Sequence, residues 1–149
     1  MWRLAQPADD ESIISMCVEL NREDPGPRPV PPEFTRHTLA TFRAEPTRGV
    51  ACVLELHGKP GGYAFLASFW SNELGGEICT VDEFFVLKEV RGQGYGRKLL
   101  QQLIAKESLW PRPAVAIDLE VTPENHRARG FYLSLGFKPA KNTHMRVRF

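Results

Sequence analysis

The stretch Val81-Asp-Glu-Phe-Phe-Val-Leu-Lys-Glu-Val-Arg-Gly-Gln-Gly-Tyr-Gly-Arg-Lys-Leu-Leu100 holds the residues most able to do chemistry. Gly92, Gly94 and Gly96 alternate with Gln93 and Tyr95, between Arg91 and Arg97. A loop of small residues lets backbone N–H groups converge, and the first turn of a following helix adds unpaired N–H donors and a partial positive charge. Such a loop suits a diphosphate. A P-loop is excluded, because no Lys-Ser/Thr pair follows any glycine at the required spacing. A dinucleotide fingerprint is closer, since Gly92-x-Gly94 opens a helix and Asp118 or Glu120 follows at about the right distance. However, Arg97 fills its third glycine position and about half the chain precedes the unit. Just upstream, Asp82 and Glu83 sit side by side in an apolar strand, where period-two alternation sends them to opposite faces. Burying two carboxylates without a purpose would be costly.

The elements that must position these groups are legible from periodicity. Trp2–Ala5 reads as a short opening strand, and Asp9 or Asp10 caps a helix with Ile13, Cys17 and Leu20 on one face. Residues 21–32 contain five prolines and must be a loop. Residues 33–43 predict a second helix, and residues 50–56 and 63–70 predict a hairpin around His57-Gly-Lys-Pro-Gly-Gly62. A second hairpin turns at residues 71–76 into the acidic strand, residues 77–86. After the glycine loop, Leu99, Leu100, Leu103 and Ile104 line a helix that ends before Pro111. Val115, Ile117, Leu119 and Val121 alternate as a strand, and Asn125 opens a helix with Ala128, Phe131, Tyr132 and Leu135 at helical spacing. Met145, Val147 and Phe149 predict a closing strand.

With 149 residues and 42% hydrophobic content the chain suits one α/β domain over residues 1–149. Its formal charge of +1 gives no global field to gather nucleic acid or an anionic membrane. No signal-peptide apolar stretch opens the sequence and no apolar run approaches the ~20 residues that span a bilayer, so a soluble cytoplasmic protein is expected. Cys17, Cys52 and Cys79 are odd in number and embedded in apolar segments, as buried free thiols are. His37, His57, His126 and His144 lack metal-ligand spacing, and no metal is expected.

The spacing Arg91-x-x-Gly94-x-Gly96 after an acidic strand resembles the acyl-CoA signature of the GCN5-related N-acetyltransferase (GNAT) superfamily. Asn125-His-Arg-Ala128-Arg-Gly-Phe131-Tyr132-Leu-Ser-Leu-Gly136-Phe137 resembles that family's Asn-x-x-Ala-x-x-Phe-Tyr-x-x-x-Gly-Phe helix. The element order agrees over nearly the whole chain. Within the superfamily, Asp82-Glu-Phe-Phe-Val86 followed by Arg-Gly-x-Gly-x-Gly is similar to diamine and polyamine acetyltransferases of the spermidine/spermine type. The resemblance implies a mixed, mostly antiparallel sheet of about six to seven strands flanked by about four helices. It implies direct acetyl transfer from acetyl-CoA to a primary amine in a ternary complex, and a homodimer is common in the family.

Site residues follow from the resemblance. Backbone groups of Phe84, Phe85 and Val86 would pair with the pantetheine arm if their strand diverges from the one at 115–121. The pyrophosphate would meet the amides of Arg91, Gly92, Gln93, Gly94, Tyr95, Gly96 and Arg97, with both guanidinium groups adding charge-assisted bonds. Asn125 would contact the donor, cap its helix, or both. An amine with a pKa of ~10.4 arrives mostly as an ammonium and must lose a proton before attack. That role falls by position on Asp82, through water, with Glu83 as the alternative; the competing reading of Glu83 is an ion pair with a helix residue. Tyr132 would protonate the departing thiolate, or stand as a core aromatic. Glu23, Asp24, Trp70, Asn72 and Glu73 would wall the acceptor pocket and suit a small cationic amine, although a solvated loop explains the same charges. A protein N-terminus or lysine as acceptor, and a non-catalytic acyl-CoA sensor, are the competing readings.

Overall fold

The computed structural model describes residues 1–26, 28–141 and 144–148. In chain order the elements are β1 (Trp2–Leu4), α1 (Asp10–Glu23), α2 (Pro32–Ala44), β2 (Gly49–Leu56), β3 (Lys59–Ser71), β4 (Gly76–Val86), α3 (Tyr95–Ile104), β5 (Ala116–Leu119) and α4 (His126–Leu133). Short 3-10 turns occupy Pro7–Asp9 and Lys88–Val90. The sheet order is β1-β2-β3-β4-β5. Each neighbouring pair is antiparallel except β4 with β5, which is parallel and joined by a crossover through α3.

Both faces of the sheet are covered, which explains the unbroken burial of Gly61–Leu66 at the centre of β3. Tyr63, Phe65 and Phe85 face one layer and pack with Ile13, Cys17 and Leu39 of α1 and α2. Ala64, Leu66, Cys79 and Val81 face the other, with Trp2, Leu99, Leu100 and Leu103. The leucines of α3 expected to face the core do so, whereas Ile104 ends the helix 48% exposed. The expected first hairpin closes more tightly than residues 57–62 suggest. His57 and Gly58 both take positive φ (51° and 75°), the signature of a two-residue type I′ turn.

The α/β class and the four helices agree with expectation, but among the described residues the sheet has five strands rather than six or seven. Residues 144–148 form no strand, and Met145 and Val147 are exposed at 89% and 75%. Alternating apolar residues license a strand only where a neighbour supplies hydrogen bonds, and among the described residues the outer edge of β5 has none. Phe149, the last residue of that expected strand, lies outside the described residues.

Candidate active site

A single irregularity in β4 sets up the site. Phe65 pairs with Glu83 and the next residue, Leu66, pairs with Val81, so Asp82 is left without a partner across the ladder. This β-bulge resets the alternation. Both Asp82 and Glu83 line the groove at this open end of the sheet, as do Phe84 and Phe85, which pack toward opposite faces.

The groove itself arises because β4 and β5 pair only through Ile78–Val81 and Ala116–Leu119. Beyond that point the strands splay, as the sequence had suggested, and Phe84, Phe85 and Val86 line a space of about 940 Å³. Gly92, Gly94 and the first turn of α3 close one end, and Leu20, Glu23 and Asp24 of the α1 end border the mouth. Gly94 is the N-cap of α3 in a left-handed conformation (φ 81°) and supplies no side-chain cap, so the first-turn amides face outward unclaimed by a cap. Gly96 lines the groove, and a Cβ there would stand 2.8 Å from Phe84 Cζ, so the glycine also lets α3 lie directly on the strand. Trp2 donates from Nε1 to the Tyr95 carbonyl at 2.8 Å, and its ring packs against Phe84 at 6.0 Å, which fixes the start of α3 from below.

Several anticipated ligand groups already have protein partners. The Arg91 guanidinium donates to both Glu23 oxygens (2.9 and 3.0 Å), donates from Nε to the Val86 carbonyl (2.7 Å) and lies over the Phe85 ring. Glu23 also faces Lys88 at 3.5 Å, and the Arg91 hydrogen bonds, ahead of the other contacts, hold its carboxyl below the usual range. Glu23 therefore belongs to the cationic end of the groove, and Asp24 lines the groove beside it. Arg97 donates to the Ser134 hydroxyl at 3.0 Å. Gln93 is exposed and off the groove wall. Asn125 lines the groove and caps α4, its Oδ1 accepting from the Ala128 amide at 3.0 Å.

Trp70, Asn72 and Glu73 do not join the site. Trp70 pairs with Glu77 at the start of β4, whereas the acidic pair lies toward its end. Five residues of strand separate Glu77 from Asp82, roughly 17 Å at a strand's rise. The hairpin tip is thus too far from the groove, and Trp70 stands 69% exposed.

The two acids differ in environment. Glu83 Oε2 accepts from the Tyr63 hydroxyl at 2.7 Å and from the Cys17 thiol at 3.6 Å; no ion pair with a helix residue forms among the described residues. Burial raises the Glu83 carboxyl above its ordinary range, with the Tyr63 bond opposing that rise and the Asp82 charge adding to it. Asp82 stays open to solvent, yet crowding by the groove walls, followed by repulsion from Glu120, raises it too. Tyr132 lines the groove between the rings of Phe131 (5.3 Å) and Phe137 (5.9 Å). Burial alone raises its phenol, so it stays protonated at neutral pH. Sequence reasoning missed Tyr63 and Glu120. A lone tyrosine in an apolar strand reads as core, and nothing in local spacing ties it to an acid twenty residues on.

The groove therefore has the uncapped N-terminus of α3, two carboxylates with raised pKa and a phenol among its lining groups. The sequence model described as the acetyltransferase (GNAT) family matches residues 14–137. An uncharacterized N-acetyltransferase of Methanocaldococcus jannaschii is 36% identical over 87 residues, a stretch covering 58% of this chain and 38% of that protein. A solved structure named as a possible acetyltransferase from Clostridium difficile 630 superposes with a TM-score of 0.82 at 19% identity, covering 100% of this chain and 97% of that one. The ribosomal-protein-alanine N-acetyltransferase of Brucella melitensis biovar Abortus 2308 superposes with a TM-score of 0.76 at 17% identity, over 100% and 99%. These two likenesses speak to the fold.

Proposed function

The chain belongs to the GNAT acetyltransferase family, and from that premise we propose that residues 1–149 act as an N-acetyltransferase domain. In this reading it moves an acetyl group from acetyl-CoA to the primary amine of a small cationic acceptor by direct transfer in a ternary complex. The supporting observation is that one groove combines the uncapped N-terminus of α3, the splayed backbone of β4 and two carboxylates at a bulge of that strand. Acetyl-CoA is the acyl-donor substrate. Its diphosphate suits the amides of residues 92–97, helped by the partial charge of the helix N-terminus. Its pantetheine arm suits the unpaired edge of Phe84–Val86. The acceptor amine then sits by Asp82 and Glu83, where Glu120 adds negative charge.

The chain's residues account for every proton. The ammonium N–H bond breaks toward a carboxylate, and the freed lone pair attacks the thioester carbonyl. The C–S bond breaks, the thiolate takes the proton of Tyr132 O–H, and the second N–H proton of the attacking nitrogen passes to the Tyr132 phenolate and restores the phenol. Net, an ammonium and acetyl-CoA give an amide, a thiol and one proton to solvent. No covalent protein intermediate and no metal are required by these steps.

The experiment is titration of the protein with acetyl-CoA, followed by mass spectrometry of a primary-amine panel. Diamines and polyamines acetylated ahead of neutral and anionic amines support the reading. Acetylation of peptides instead would move the acceptor to a protein N-terminus or lysine, and binding of acetyl-CoA with no transfer to any acceptor would leave a sensor.

A further inference from the structure

We propose that Glu83 is the group that takes the amine's proton, and that Tyr63 and Cys17 are positioning residues that hold it for the task; this rests on the N-acetyltransferase reading above. Glu83 sits at the junction of the groove and the α1/α2 core layer. Tyr63 from β3 is fully buried and Cys17 from α1 is 2% exposed, and both donate to the same oxygen, Oε2. Two donors on one oxygen fix the plane of the carboxylate and leave Oε1 for another partner. Oε1 has no hydrogen bond among the described residues, and Glu83 lines the groove, so the remaining lone pairs are available to a ligand there. Asp82 has no such hold. It is the unpaired residue of the bulge, exposed, without a hydrogen-bonded partner among the described residues.

Neither donor competes for the proton. Burial pushes the Cys17 thiol up to about 12 and drives the Tyr63 phenol above its ordinary range, so both remain protonated wherever the enzyme works. The groups facing Glu83 are then Cys17 from α1, Tyr63 from β3 and Asp82 on β4, with Glu120 and Arg146 acting on Asp82. Two fixed donors favour the carboxylate, burial and Asp82 favour the acid, and the balance leaves Glu83 above an ordinary glutamate. The added negative charge of Asp82 and Glu120 then attracts the incoming ammonium.

The test is the pH dependence of acetyl transfer from acetyl-CoA to 1,4-diaminobutane in wild type, Tyr63→Phe, Glu83→Gln and the double variant. Tyr63→Phe removes only the O–H. Losing a donor raises the Glu83 pKa, so the acidic limb of kcat/KM should move up by about one pH unit, the scale of one hydrogen bond to a charged group. KM for acetyl-CoA should stay within about twofold. Adding Tyr63→Phe to Glu83→Gln should change nothing further, because the tyrosine acts through the acid. An unmoved limb in folded Tyr63→Phe, or an equal loss in both backgrounds, overturns the proposal. Cys17→Ala should move the limb the same way by less. A readout independent of turnover is the carbon-13 titration of the Glu83 carboxyl. Its midpoint must rise in Tyr63→Phe, and a fixed midpoint overturns the proposal even if 1,4-diaminobutane is not a substrate. A risen midpoint without transfer to any amine sinks the acceptor assignment and supports the positioning of Glu83.

Discussion

A phenol that is packed between two rings, with no hydrogen bond at its oxygen among the described residues, allows a clean experiment at the scale of one atom. Tyr132→Phe keeps the contacts with Phe131 and Phe137 and removes only the hydroxyl. Thermal stability should stay close to wild type. Acetyl transfer at neutral pH should fall roughly 10- to 10³-fold, within the reach of one proton donor and mainly in kcat. Full activity in a folded Tyr132→Phe protein would return the residue to the core and leave water as the donor. A place on the groove wall was legible where a motif names the residue, as with Tyr132, Asn125, Gly92, Gly94 and Gly96. Residues were illegible where the partner is distant in sequence. Tyr63 meets Glu83 only because α1 and the bulged strand converge on it, and Trp70 looked like an acceptor wall only while the length of β4 was left out of account.

Among elements, the decisive contact is the one between α3 and β4. Gly94 and Gly96 look equivalent in the sequence, yet the structure separates them. Gly94 has open space around its missing Cβ but a left-handed backbone, so Gly94→Ala should cost about 1 kcal/mol of strain and little else. Gly96 has an ordinary helical backbone but would drive a Cβ into Phe84, which itself rests on Trp2. Gly96→Ala must therefore tilt α3 and misaim its first-turn amides. Calorimetry should show acetyl-CoA affinity falling more in Gly96→Ala than in Gly94→Ala; the reverse order would mean that backbone approach at Gly94, rather than helix placement, governs binding. Periodicity sufficed for the helices and hairpins because each is stabilised by local spacing and one buried face. The bulge left no such trace, since it depends on the register of β3 against β4 across a hairpin. The missing sixth strand reflects the same limit, a pairing that alternation alone cannot create.

For the molecule as a whole, the site is a place where stability is given up. Arg3 and Asp9 tie β1 to the start of α1 by two short hydrogen bonds (2.8 and 3.0 Å), and the Arg3 bonds lower the Asp9 carboxyl. An acid lowered on folding contributes stability above its unfolded pKa, and that contribution is lost as pH falls through the folded value. Asp82 has the opposite sign. Its folded pKa is raised by the groove walls and by Glu120, so its contribution is present below the unfolded value and lost as pH rises through the folded one. Above the folded value the carboxylate is ionised in both states, and the folded state bears the cost. Asp82→Asn keeps the shape and removes the charge. Its melting temperature at pH 7 should therefore rise, by about a degree given the solvent reaching the side chain, while acetyl transfer to a cationic amine weakens. The difference should disappear as pH drops below the ordinary aspartate value of 3.8, where both states of the wild type are protonated. Melting curves across pH for the two proteins decide it. A variant less stable than wild type at pH 7 would mean that Asp82 has a favourable partner in the fold, and the acidic end of the groove would then be structural rather than held in reserve for a cation.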